Sequence, residues 1–143
     1  MHLAQLNIAE AIASMESPEM ADFVANIERI NSLAESSPGY IWRLTDDGSD
    51  NSYSMQLFES EFIITNMSVW EDRESLFSFV YNSDHVEIFR RRKEWFHKMP
   101  RMHMVMWYVN EGHIPTIEEA KERLNYLRKH GESEYAFTFK SKF

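Results

Sequence analysis

Apolar residues follow two different spacings along the chain, and these spacings predict an α+β protein. Four segments alternate apolar and polar residues as strands do; they are 2–8, 40–44, 62–70 and 102–109. Four others repeat apolar residues every three or four positions, as helices do; they are 18–37, 73–81, 84–96 and 117–130. A short final strand is predicted at 136–139, and the polar stretch 45–54 is predicted to be a loop.

The order of the first six elements, β-α-β-β-α-β, is that of the ferredoxin-like, split-βαβ motif. This motif makes one antiparallel sheet with helices on one face, so that the other face needs a cover. We expect a second subunit to supply it, sheet against sheet. The last helix has clear ends, because Thr116 and Glu119 have the spacing of a capping box and Gly131 suits a helix stop.

Composition excludes several functions. The chain has 143 residues, the length of one domain, and we expect a single domain over 1–143. It has no cysteine, which excludes a disulfide framework, a thiolate nucleophile and cysteine-based metal sites. The net charge of −8 argues against nucleic-acid binding. The sequence has no apolar run of membrane-spanning length and no basic leader, so we expect a cytoplasmic protein without a membrane partner.

Familiar catalytic motifs are missing from the sequence. There is no GxGxxG, P-loop or GxSxG motif. The six histidines lack the HxH, HExxH and two-histidine–carboxylate spacings of metal sites. We therefore expect neither a nucleotide, nor a metal, nor another cofactor.

Strand alternation suggests where a ligand could bind. Ile63, Thr65, Met67 and Val69 suit packing under helices. One consistent assignment gathers rings, amides and a hydroxyl on the helix-free face: Gln5, Asn7, Trp42, Asn66, Ser68, Trp70 and Trp107. Such a mixture is usual in small-molecule pockets, but it could equally fill a dimer interface. A one-residue bulge would invert the assignment.

Two further candidates lie in the predicted helix 84–96. His85 is in its first turn and could serve as a general base near neutral pH, or simply pack at the helix start. Arg92 lies two turns along the same face, where it could meet an anionic substrate or remain solvated. His113, in a loop beside Gly112, is a weaker candidate.

Two segments form a distinctive pattern, 66–71 (NMSVWE) and 79–85 (FVYNSDH), and 38–44, 90–96, 112–116 and 136–139 extend it over nearly the whole chain. These segments resemble an uncharacterised bacterial family that carries a domain-of-unknown-function label. More distantly, the chain resembles the dimeric α/β-barrel superfamily, which includes antibiotic-biosynthesis and haem-degrading monooxygenases. This resemblance implies a dimeric α/β barrel: homodimers with facing sheets, and a cavity between sheet and helices in each subunit.

The resemblance also bears on residues. Asn66 and Trp70 resemble the asparagine and tryptophan that these monooxygenases place at the cavity. The haem-degrading branch needs an axial histidine on the following helix. His85 is on that element, but Arg90 lies nearer the position expected for the ligand, which argues against haem.

The leading hypothesis is a small-molecule-binding homodimer that acts as a cofactor-independent monooxygenase on an aromatic or polyketide-like substrate. Asn66 would bind substrate or a reactive oxygen intermediate, and His85 would move a proton. The substrate-binding set would be Trp42, Ser68, Trp70, Arg92 and Trp107, with the tryptophans stacking on the substrate. A non-catalytic binding or stress-related module is the alternative, and a haem-binding protein the third hypothesis.

Overall fold

Four strands form one antiparallel sheet in the part of the chain that the computed structural model describes, which is residues 1–14, 16–44, 63–82, 90–98, 102–141 and 143. The strands are β1 His2–Glu10, β2 Tyr40–Arg43, β3 Ile63–Trp70 and β4 Met104–Val109. Their order across the sheet is β2-β3-β1-β4, so β1 and β3 are central. This is the predicted ferredoxin-like arrangement, and the prediction of an α+β fold with that topology is confirmed.

The helices also follow the predicted order. A 3₁₀ turn, Pro18–Met20, leads into α1, Ala21–Ser36. The others are α2 Arg73–Asn82, the short α3 Arg92–Trp95, and α4 Ile117–His130. In the predicted helix 84–96, residues 84–89 lie outside the described residues, as does the predicted loop 45–54. No helix among the described residues is long and apolar enough to cross a bilayer.

The predicted final strand at 136–139 is wrong, since only two isolated bridges form there, one of Ala136 with Ser133 and one of Phe137 with β4. Phe137 pairs with Met106 of β4 through two backbone hydrogen bonds of 2.7 and 3.0 Å. The bridge lies on the free side of β4, and so it covers part of an edge strand that would otherwise expose its backbone donors and acceptors.

One face of the sheet packs against α1 and α2, and we call it the α1–α2 face. Leu3 and Trp70 are buried there beside Ala34 of α1 and Leu76 of α2. At the opposite end of the same face, Ile64 packs in a second apolar cluster, which holds Phe23 and Phe96 as well as Ala11, Met20 and Trp95.

The other face packs against α4, and we call it the α4 face. Leu6 and Val105 are fully buried under Leu124 and Leu127 of α4. The expectation that this face is free of helices is therefore wrong. Within the described chain, the ferredoxin-like helices cover one side of the sheet and the extra C-terminal helix covers the other.

The start of α4 is tied to the sheet by side-chain hydrogen bonds. Thr116 accepts from the backbone N–H of Glu119 at 3.1 Å, which confirms the predicted cap. The Glu119 carboxylate accepts from the indole N–H of Trp107 at 2.7 Å and lies 2.7 Å from Nε2 of His113. Trp107 is fully buried, so Glu119 satisfies a donor that has no access to water. These contacts give His113 a structural partner.

Candidate ligand-binding site

A polar strip crosses the two central strands on the α1–α2 face. Strand register places Asn7 opposite Asn66 and, in the next row, Gln5 opposite Ser68. Side chains of paired residues point to the same side of a sheet, so all four lie on one face. Gln5 and Ser68 are buried, whereas both asparagines are exposed. We call these four residues the polar strip.

Hydrogen bonds join three residues of the strip, Gln5, Asn66 and Ser68, with Trp70 into one network. Nε2 of Gln5 donates to Oδ1 of Asn66 at 2.7 Å and to Oγ of Ser68 at 2.8 Å. Nε1 of Trp70 donates to the same Ser68 oxygen at 2.9 Å. The chain of bonds runs from an exposed amide to a fully buried indole, and it holds each side chain in one orientation.

Apolar residues adjoin the exposed row of the polar strip, Asn7 and Asn66, on two sides. Half-buried Ile64 lies two residues before Asn66 on the same face of β3, and half-buried Met104 is the partner of Asn7 on β4. The accessible surface thus offers amides between apolar side chains. A small molecule with an apolar body and a few polar atoms matches this mixture.

Trp70 contributes to the site differently from the sequence-based prediction. Its side chain is only 1% exposed, and its ring stacks on Phe79 of α2 at 5.2 Å between centroids. Tyr40 packs edge-on against it at 5.7 Å. The ring faces are therefore occupied by the protein's own rings, and the contribution of Trp70 to the strip is its indole N–H.

Trp42 and Trp107 do not belong to the strip. Met106, not Trp107, is the partner of Gln5 on β4, which places Trp107 on the α4 face. In β2 the register shifts between Tyr40 and Trp42, and this irregularity turns Trp42 to the α4 face as well. Their predicted place beside Asn66 is wrong: the alternation was read in the wrong phase in β4, and the irregularity interrupts it in β2.

Of the two candidates in the predicted helix 84–96, His85 and Arg92, the structure describes only Arg92. His85 lies outside the described residues. Arg92 is exposed in α3, whose Trp95 belongs to the apolar cluster around Ile64. In the described residues, no three histidine, cysteine, aspartate or glutamate side chains are grouped closely enough to hold a metal ion.

A buried cation that the sequence analysis missed lies beside the strip. Arg43 is the partner of Ser68 on β2 and is 8% exposed. Its Nε donates to Glu35 of α1 at 2.9 Å, and this carboxylate compensates the charge. The register irregularity that turns Trp42 away brings Arg43 to this face, so no regular alternation would have indicated it.

Tyr40, a phenol on the same face as the strip, is not a base at neutral pH. Burial raises the pKa of Tyr40 above its usual value of 10, and the charge of Glu35 raises it further, although Arg43 acts in the opposite direction. Tyr40 therefore remains protonated near pH 7. Its hydroxyl adds no negative charge to the strip.

The fold and the strip together define a ferredoxin-like α+β protein with exposed hydrogen-bonding groups on its two central strands. The chain belongs to the family described as a domain of unknown function, DUF3291, whose model matches residues 2–143. No curated protein shows significant sequence similarity to it.

Solved structures share this fold at low sequence identity. A conserved protein from Methanosarcina mazei Go1 matches with a TM-score of 0.56 and 19% identity, over 77% of this chain and 94% of that one. SnoaB from Streptomyces nogalater, a cofactor-independent oxygenase, matches with a TM-score of 0.53 and 9% identity over the same shares. A protein of unknown function from Nitrosomonas europaea gives 0.53 and 11%, over 80% of this chain and 95% of that one.

Proposed function

We propose that the protein binds a small aromatic molecule on the α1–α2 face, over the polar strip. The observation that carries this proposal is the exposure of Asn7 and Asn66 in the middle of the central strand pair, next to a buried hydrogen-bond network. A ring lying there would contact Ile64 and Met104, and its polar atoms would reach the amides.

We further propose that the reaction on this ligand is a cofactor-independent oxygenation. The similarity of fold to SnoaB supports it, as does the position of Asn66 within the network. The substrate would supply the electrons: an activated ring CH₂ reacts with O₂ to give a ring ketone and water. The ring carbon is oxidised, one oxygen atom enters the ring, and the other leaves as water.

Replacing Asn66 tests both the proposed binding of an aromatic ligand and its proposed oxygenation. Oxygen uptake and thermal stabilisation would be measured with a dihydroxyanthrone, which carries the activated ring CH₂, as the probe. We expect Asn66→Ala to lose both signals, because it removes the exposed amide that is joined to the hydrogen-bond network. Asn125→Ala is the control, since Asn125 is exposed on α4, on the opposite side of the sheet.

The possible results separate three functions. Oxygen uptake that Asn66→Ala abolishes supports the oxygenase. Stabilisation without uptake, also lost in Asn66→Ala, supports a non-catalytic binding module and contradicts the oxygenase. Neither signal with any aromatic probe, or signals that Asn66→Ala leaves intact, would contradict the polar strip as the site. A Soret band on adding haemin would favour the haem-binding alternative.

Two residues of the predicted site remain proposals. His85 would accept the proton that leaves the substrate carbon, and His85→Ala would then lower oxygen uptake without weakening ligand binding. Arg92 would attract an anionic substrate, and Arg92→Ala would weaken binding most at low salt. A homodimer that packs sheet on sheet is not part of this proposal, because α4 covers that face. Self-association would need another surface.

A further inference from the structure

The hydrogen bonds of the polar strip all run one way, from the nitrogens of Trp70 and Gln5 to oxygens of their neighbours. An indole N–H can only donate, so the oxygen of Ser68 must accept from Trp70. The same oxygen accepts from the Gln5 amide, which uses its second acceptor position. The other amide hydrogen of Gln5 goes to Oδ1 of Asn66. Gln5 therefore donates in both of these bonds and accepts in neither.

The consequence is that the strip turns donors towards a ligand. With two bonds accepted, Ser68 retains only its hydroxyl hydrogen for a further partner. Because Oδ1 of Asn66 is held by Gln5, the amide nitrogen of Asn66 and its two hydrogens lie at the other side of that exposed group. A carboxamide at position 5 thus sets the polarity of its two neighbours.

We infer that Gln5 is the specificity-determining residue of this site and selects ring ligands that carry an acceptor oxygen, such as a ketone or a phenolate. The inference rests on the proposed ligand site. A substitution at position 5 can reverse the hydrogen bonds. A carboxylate there would accept from Ser68 and from the Asn66 amide, and would leave the Asn66 oxygen facing outward. Gln5→Glu is nearly isosteric and therefore reverses the polarity without changing the shape.

Two tricyclic probes of matched size read out this polarity. 9-Fluorenone has a carbonyl acceptor, and carbazole has an N–H donor in the corresponding position. Equilibrium dialysis would give both dissociation constants for the full-length chain. We expect the wild-type protein to bind fluorenone about tenfold more tightly than carbazole, as one to two hydrogen bonds allow.

Gln5→Glu should reverse this preference, and Gln5→Met should bring the two affinities close together, since methionine fills the space without donating. A merely structural role for Gln5 would weaken both probes equally and leave their ratio unchanged. The methionine variant keeps the test decisive if a buried carboxylate prevents folding, and thermal unfolding verifies that each variant is folded.

The results distinguish this inference from the proposed function. Binding of neither probe by the wild-type protein would overturn the proposed aromatic site and the inference with it. Binding of fluorenone by the wild type with an unchanged ratio in both Gln5 variants would overturn the inference alone. A wild-type preference for carbazole would show that the strip presents acceptors, which also overturns it.

Discussion

Replacing Leu124 with alanine tests whether α4 covers the sheet in solution. Leu124 is 1% exposed and packs among the residues of the α4 face, including Leu6 and Val105. The substitution removes the equivalent of three methylene groups, and their transfer from water is worth about 0.8 kcal/mol each, or about 2.4 kcal/mol. The cavity left behind raises the expected loss of unfolding free energy to about 3–4 kcal/mol.

Urea unfolding at equilibrium measures this loss. Asn125→Ala is the matched control, because the neighbouring side chain on the same helix is exposed, and it should change stability by less than about 0.5 kcal/mol. The midpoint of unfolding should also be independent of protein concentration. If a second subunit covered the face instead, a hundredfold dilution would remove about 2.7 kcal/mol of apparent stability.

Two results would refute the packing of α4. A loss below about 1 kcal/mol for Leu124→Ala would mean that the side chain is largely solvated. That small loss together with a midpoint that rises with protein concentration would mean that another copy covers the apolar face in place of α4. Only this combination would restore the sheet-against-sheet dimer as the explanation for the buried residues of the α4 face.

Three further substitutions test how the helices are attached. Gly39→Ala should cost about 1–3 kcal/mol more than Gly112→Ala: both glycines have positive φ, but only at position 39 would a Cβ collide with the side chain of Ser75. Asp72→Ala should cost about 1 kcal/mol at pH 7, because its carboxylate accepts from the Ser75 N–H at 2.8 Å. Hydrogen bonds from the Ser75 side chain and then from its backbone N–H lower the pKa of Asp72 below 3.8. The contribution of Asp72 to stability is therefore complete above its unfolded-state pKa and is lost as pH falls through its folded-state pKa. Thermal unfolding should show a smaller difference between wild type and Asp72→Ala at pH 3 than at pH 7. Glu119→Ala should cost about 1–3 kcal/mol in urea unfolding by leaving the indole N–H of a buried tryptophan unpaired, and no change would contradict that contact.

The order of elements could be predicted from the sequence because it depends on local periodicity. The strands and helices of the βαββαβ motif were found to within a few residues, as was the capped start of α4 at Thr116. The final strand failed for a non-local reason. A segment with strand-like residues forms a ladder only if an edge offers several partners in register, and here only Phe137 bridges to Met106.

The faces of the sheet could not be predicted in the same way. β4 is apolar on both sides, with Met106 on one and Val105 and Trp107 on the other. Its sequence therefore does not indicate which of its residues lie on which face of the sheet. The register with β1 decides it, and register depends on backbone pairing between distant segments. The same holds for Trp42, where one irregularity in β2 changes the face. In contrast, Asn66, Ser68 and Trp70 share one face as predicted, because they alternate along a single regular strand. That face packs against α1 and α2, however, so their predicted place on a helix-free face is wrong.

Asparagines at the middle of the central strand pair are poor choices for stability, and this is itself an argument for function. Asn is depleted in strands, and β-propensity scales span about 1 kcal/mol between good and poor residues. Asn7 and Asn66 face each other in this pair, on a sheet whose other rows are mainly apolar. We therefore expect Asn66→Thr to raise the free energy of unfolding by up to about 1 kcal/mol while weakening the binding of aromatic probes, a trade typical of functional sites. Urea unfolding and probe titration on the same preparation test both halves. A variant that lost stability and kept its affinity would mean that Asn66 serves the fold, and that the ligand site has to be sought elsewhere.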